Sequence, residues 1–242
     1  MDKFKKTMIK EYHDLKLLLR SVPSLIMVVF VLATMFANIF ANKELLNISW
    51  LALDCGFLLS WLMFLCMDIL TKRFGAKAAI KLSGVAIAIT AIFCGLFAII
   101  ARVGNNWAAF YTYENEIANA ALNETFGGTW YVIVGSLTAM AIAAVVNAVL
   151  NEGIGKLLNK DNFTAFSIRS YVSTAIGQLV DNLVFATLVS KVFFGWTWTQ
   201  VVTCSIAGAV AELLAEIIFS PVGYKVCKNW EREGVGASYL KQ

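Results

Sequence analysis

The chain has 242 residues, 59% of them hydrophobic and 15% charged, with a formal net charge of +4. Soluble domains run near about 45–50% apolar and about 25% charged, so this composition excludes a soluble enzyme and leaves no length for a separate soluble domain. The positive balance reads as loop charge that sets membrane topology, and it implies no nucleic-acid partner.

Residues 3–20 read as an amphipathic interfacial helix, with Phe4, Met8, Leu15 and Leu19 recurring near helical spacing among Lys and Arg. Six apolar segments then have the roughly 20-residue length of a membrane span, over 22–41, 50–70, 78–101, 129–150, 170–194 and 199–221. The expected organisation is therefore a cytoplasmic N-terminal arm (1–21), a six-helix transmembrane domain (22–221) and a cytoplasmic tail (222–242), an all-α integral membrane fold. With the N-terminus inside, all 20 Lys and Arg residues except Lys43, Arg102 and Lys191 fall on the cytoplasmic side, which places both termini there. The two prolines, Pro23 and Pro221, sit at the ends of the first and last spans, where a helix tolerates them.

Along the first span Ala33, Ala37 and Ala41 form a stripe of small residues that lets another helix come close, with Asn38 beside it. The second span carries Asp54 and Asp68, read as surface hydration and an interfacial salt bridge, with Trp61 between them as a ring that could stack on a flat ligand. The third span has no acid and reads as packing. The loop over 102–128 holds Trp107, Tyr111, Tyr113 and Glu114, which suit the outer interface. On the fourth span Ser136, Asn147 and Asn151 share a side.

The fifth span is the most informative. Tyr171, Thr174, Gln178, Asp181, Asn182 and Phe185 fall within an arc of roughly 100° when wound as a helix. An acid at membrane depth is expensive and should face the bundle interior or a watery cavity, so this stripe reads either as the lining of a binding site or as polar glue between helices. The sixth span adds Ser205, Gly208, Glu212 and Glu216 on one face. Glu212 and Glu216, four residues apart, repel when both are charged. With Asp181 they are the candidates for taking up a proton; pairing of the glutamates with Lys81 or Arg169 is the alternative. The five cysteines have no metal-ligand spacing and the one histidine, His13, lies in the arm. No metal, cofactor or nucleophile–base motif is present in the sequence, and no catalytic residue is assigned.

These residues resemble the YhhQ-type queuosine-precursor transporters, the vitamin uptake transporter family. The run Arg169, Ser173-Thr174-Ala175, Gln178, Asp181, Phe185 is similar to the family's most distinctive pattern, R-x-x-x-S-T-A-x-x-Q-x-x-D-x-x-x-F. Asn38 with Lys43, Asp68 with Phe74-Gly75, and Pro221 with Tyr224 resemble three weaker signatures in the same order. The chain departs from the second signature at Lys72, where the family carries Glu. The resemblance implies a fold similar to the substrate-binding subunits of energy-coupling-factor importers, and uptake of 7-deazaguanines (preQ0, preQ1 or queuine) across a bacterial inner membrane.

On that basis Asp181 or Glu212 would accept the N1–H and 2-amino donors of a deazaguanine, because a carboxylate takes two parallel hydrogen bonds. Gln178, Asn182, Thr174 and Asn147 would meet its other polar edge, and Trp61, Tyr171 or Phe185 would stack on the ring. A stand-alone secondary carrier is the leading expectation. A binding subunit served by separate energy-coupling partners through the Ala stripe is the second, and a membrane enzyme or structural subunit the third. A homodimer through the same stripe is also expected.

Overall fold

The computed structural model describes residues 2–103, 106–107, 115–128, 130–158 and 162–241. Tyr111, Tyr113, Glu114 and Lys160 lie outside them. The elements run α1 (Asp2–Ser21), α2 (Ser24–Phe40), β1 (Glu44–Ile48), β2 (Leu51–Asp54), α3 (Phe57–Phe74), α4 (Ala76–Ile100), α5 (Glu116–Asn123), α6 (Trp130–Leu158), α7 (Phe163–Phe185), α8 (Lys191–Phe193), α9 (Trp198–Arg232) and α10 (Ala237–Leu240).

The structure is a helical membrane protein. Helical runs through α4, α6, α7 and α9 are each long and apolar enough to cross a bilayer, and α1 with α2, bent by 104° between them, make a fifth if taken together. Their outward faces are apolar: Ile92, Leu96 and Ile99 on α4, and Val210, Leu214 and Ile218 on α9, are all exposed. In water such faces would be aggregation sites, whereas lipid makes them neutral. Among the described residues, four or five runs thus meet the length and apolarity of a span, of the six expected. The segment expected over 50–70 becomes helical only at Phe57, and its 18 residues include Asp68, Lys72 and Arg73.

The residues before Phe57 depart from the all-helical expectation. They form an antiparallel hairpin pairing Glu44 with Asp54 and Ile48 with Leu51. The start of α9 holds it: Gln200 Nε2 donates to Asn47 Oδ1 (3.2 Å) and to the Ile48 carbonyl (3.0 Å), and Trp196 Nε1 donates to Glu44 Oε1 (3.2 Å). Ala52, Ala186, Trp196, Val201 and Cys204 make a small core beneath it.

α3 is the hub of the bundle, packed against α2, α4, α6, α7 and α9. Its Phe64, Met67 and Leu70 are fully buried in the main core. α6 lies along α7, and α7 along α9. Gly177 allows that close approach, since a Cβ there would stand 3.0 Å from both Phe64 and Asn147.

The last helix overruns its expected end. α9 continues through Pro221 to Arg232. Proline removes the hydrogen that the Ile217 carbonyl would receive, and Ser220 Oγ supplies one in its place at 3.1 Å. The arm and tail meet at one end of the bundle, where Ser21 and Ser238 hydroxyls lie 3.2 Å apart and Lys81 Nζ bonds Glu11 and Asp14 at 2.5 Å each. Lys81 is therefore engaged by the arm, not by the glutamates of α9.

Candidate functional site

Two polar layers lie inside the bundle. The first lines a cavity of about 620 Å³, part of it open to solvent, between α2, the hairpin, α3, α6, α7 and α9. Asp54, Asp181 and Glu212 bring three carboxyl groups to it, with Asn38, Asn182 and Phe185. Helical spacing on α7 turns Asp181, Asn182 and Phe185 to this side, and Gly208 on α9 leaves room for them. A Cβ at Gly208 would stand 2.8 Å from Asn182 Nδ2.

The hydrogen bonds around the cavity leave acceptors in excess. Glu212 accepts from Ser60 Oγ and, at 3.2 Å, from Asn182 Nδ2. Asp54 accepts from the Gly56 amide at 2.7 Å. Asp181 Oδ1 and Asn38 Oδ1 are buried and receive nothing. No Lys, Arg or His is among the lining residues described. A buried acceptor without a donor costs about 1–3 kcal/mol, so the arrangement favours a ligand that brings N–H groups.

The second layer is sealed. Asp68, Asn147, Asn151, Ser170, Ser173, Thr174 and Glu216 are all fully buried. Asp68 Oδ1 accepts from Asn147 Nδ2 (3.0 Å) and Asn151 Nδ2 (2.7 Å), and Oδ2 accepts from Thr174 Oγ1 (3.1 Å). Ser170 Oγ contacts both Asp68 Oδ2 and Glu216 Oε1. Asp68 is thus an interior residue with polar partners, not the interfacial ion pair expected of it.

Of the expected site residues, Asp181, Asn182, Phe185 and Glu212 meet at the cavity, and Thr174, Asn147 and Glu216 belong to the sealed layer. Gln178 is fully buried between them. Tyr171 Oη lies 2.6 Å from Ser220 Oγ. Trp61 stacks on Phe219 at 4.5 Å between ring centroids, and its indole N–H bonds the Leu58 carbonyl. Neither ring is among the cavity residues. Arg169 packs over the Phe166 ring, 5.5 Å from its centroid. Asp54 and Ser60 were missed. Asp54, read as surface hydration, is turned inward by the hairpin, and only Ser60's place one helical turn from Phe64 on the buried face of α3 could have flagged it.

The Ala stripe is not a free surface either. Ala33 and Ala41 are buried, and Ala37 faces the cavity.

The model of a family described as "Putative vitamin uptake transporter" matches residues 54–226. The chain belongs to this family. The matched region holds both polar layers, apart from the α2 residues of the cavity. No curated protein and no solved structure matches the chain.

Proposed function

We propose that the chain is a stand-alone secondary carrier, not an enzyme, that takes up 7-deazaguanine precursors of queuosine across a bacterial inner membrane. The observation that carries this reading is the cavity's excess of acceptors: three carboxyl groups and two unpaired buried oxygens, with no cationic side chain among the described lining. A deazaguanine presents N1–H and a 2-amino group on one edge, a donor pair that one carboxylate can receive. Asp181 is the carboxylate for that edge, because its Oδ1 is the one left without a donor. Asn182 offers an amide to the opposite edge, and Phe185 a face for the ring. preQ1, which carries a cationic aminomethyl group, suits the remaining carboxyl charge best.

Equilibrium binding to the purified chain in detergent tests the reading. preQ1 and queuine should saturate one site. The analogue without the 2-amino group should bind more than about tenfold more weakly, since Asp181 would lose one of two donors. Equal affinity for that analogue, or no binding of either precursor, would overturn the assignment.

A further inference from the structure

The sealed layer has a hydrogen count that does not close. Ser170 Oγ is within hydrogen-bond distance of both Asp68 Oδ2 and Glu216 Oε1. A hydroxyl carries one hydrogen. Given to one acid, it leaves an oxygen–oxygen contact with the other unless that acid brings a hydrogen of its own. The Asn147 and Asn151 amides donate to Asp68, and the single Thr174 hydroxyl hydrogen lies between Asp68 and Glu216. Glu216 Oε2 receives nothing, although the residue is fully buried. An ionised Glu216 would leave a charged oxygen dry and unpaired, which protein interiors do not accommodate cheaply.

We propose that Asp68, Ser170 and Glu216 form a proton-binding site separate from the substrate cavity, with one carboxyl hydrogen shared across the serine hydroxyl between the two acids. In one arrangement Glu216 Oε1–H donates to Ser170 Oγ, and the serine hydrogen goes to Asp68 Oδ2. Reversing both bonds carries the proton from Glu216 to Asp68 with no change in total charge.

An independent observation links this site to the cavity. Gln178 lies one turn from Thr174 toward Asp181 and Asn182, fully buried, and both of its amide atoms lack a partner. Asn147 Oδ1 and Asn151 Oδ1 also receive nothing. Buried amides in this condition are ordinarily met by internal water. The stripe from Asp181 through Gln178 to Thr174 is thus a continuous line of polar side chains between the two layers.

The charged groups around the pair leave it as the place where a proton is held. α2 has no charged residue, and α4 has Lys77 and Lys81, the latter engaged by Glu11 and Asp14. α6 adds Glu152, bonded by Lys156 and the Ala76 amide. α3 continues to Lys72 one turn on, and to Arg73, which donates to the Val235 carbonyl. α7 brings Arg169, packed over Phe166 and against Gly155, and Tyr171, which meets Ser220. α9 brings Glu212 one turn toward the cavity, and Tyr224 and Cys227 beyond Ser220. Asn147, Asn151, Ser170 and Thr174, all neutral, bond the two acids.

Infrared difference spectroscopy on the full purified chain reads this directly. At neutral pH and without substrate, the wild type should show the C=O stretch of a protonated carboxyl group, displaced in heavy water. Ser170→Ala should shift that band, because the hydroxyl that bonds the acid is gone; Glu216→Gln should remove it. A band moved by Ser170→Ala upholds the site. No band in the wild type, or a band unmoved by Ser170→Ala, overturns it even if Glu216→Gln fails to fold. The role of the proton in uptake rests on the carrier reading, but the protonation does not: failure of deazaguanine binding would leave this spectrum unchanged.

Discussion

The two acidic layers are built on the same helices and differ in what surrounds them. Glu212 and Glu216 are one turn apart on α9, about 6 Å along the axis. Around Glu212 the bundle opens into a cavity, and buried acceptors there lack donors. Around Glu216 and Asp68 the bundle is closed, and donors from α6 and α7 converge on Asp68. The difference shows that an acid's position on a span does not fix its role. An acid beside empty space with too few donors is arranged to receive a ligand, whereas a pair closed in by the bundle can exchange nothing larger than a proton.

That contrast can be broken by substitution. The largest effect is expected at the closed layer. Asp68→Ala strands the Asn147, Asn151 and Thr174 donors and should lower stability by about 3–5 kcal/mol, seen as a fall in Tm or loss of folded protein in detergent. Asp181→Ala, whose Oδ1 bonds nothing, should leave Tm close to that of the wild type. Equal losses in the two variants would erase the distinction between the layers.

At the open layer, Asp181→Asn should weaken preQ1 binding by more than about tenfold, or about 1.4 kcal/mol, with Tm unchanged, because an amide replaces one of the two acceptor oxygens with a donor NH₂ facing the ligand's own N–H. Unchanged affinity would remove Asp181 from the site. Gly208→Ala sharpens the geometry. Its methyl would meet Asn182 Nδ2 at 2.8 Å and press the amide away from Glu212. Affinity should fall by roughly threefold to tenfold, about what one net hydrogen bond is worth. The smallest effect is expected at Trp61→Phe, which keeps a ring against Phe219; binding should change by less than about twofold. A larger change would return Trp61 to the cavity.

Much of this was legible in the sequence, for a physical reason. Lipid-facing helices advertise themselves by long apolar runs, and the 3.6-residue period put Asp181, Asn182 and Phe185 on one face before any packing was known. The hairpin was not legible. Leu45, Leu46 and Ile48 and then Leu51 and Leu53 read as the opening of an apolar span, and the Ser49-Trp50 turn lacks the Asn-Gly or Asp-Gly that marks a tight hairpin. Missing it cost the placement of Asp54. The stack of Trp61 on Phe219 of α9 was not legible either, because no local pattern encodes that contact. The end of α9 was set too early because Pro221 reads as a stop, and the repair by Ser220 depends on one side-chain rotamer. The serine that joins Asp68 to Glu216 was invisible for the same reason: Ser170 is 102 residues from one acid and 46 from the other.

The central claim is that this single chain carries a deazaguanine across a membrane by itself. Uptake of labelled preQ1 and queuine into liposomes holding only the purified chain, with and without an inward proton gradient, tests it most directly. The account predicts saturable uptake that rises with the gradient, needs more than about tenfold more substrate in Asp181→Asn, and loses its response to the gradient in Glu216→Gln. Binding in detergent with no uptake into liposomes would contradict a self-sufficient carrier and make the chain the binding subunit of a larger importer.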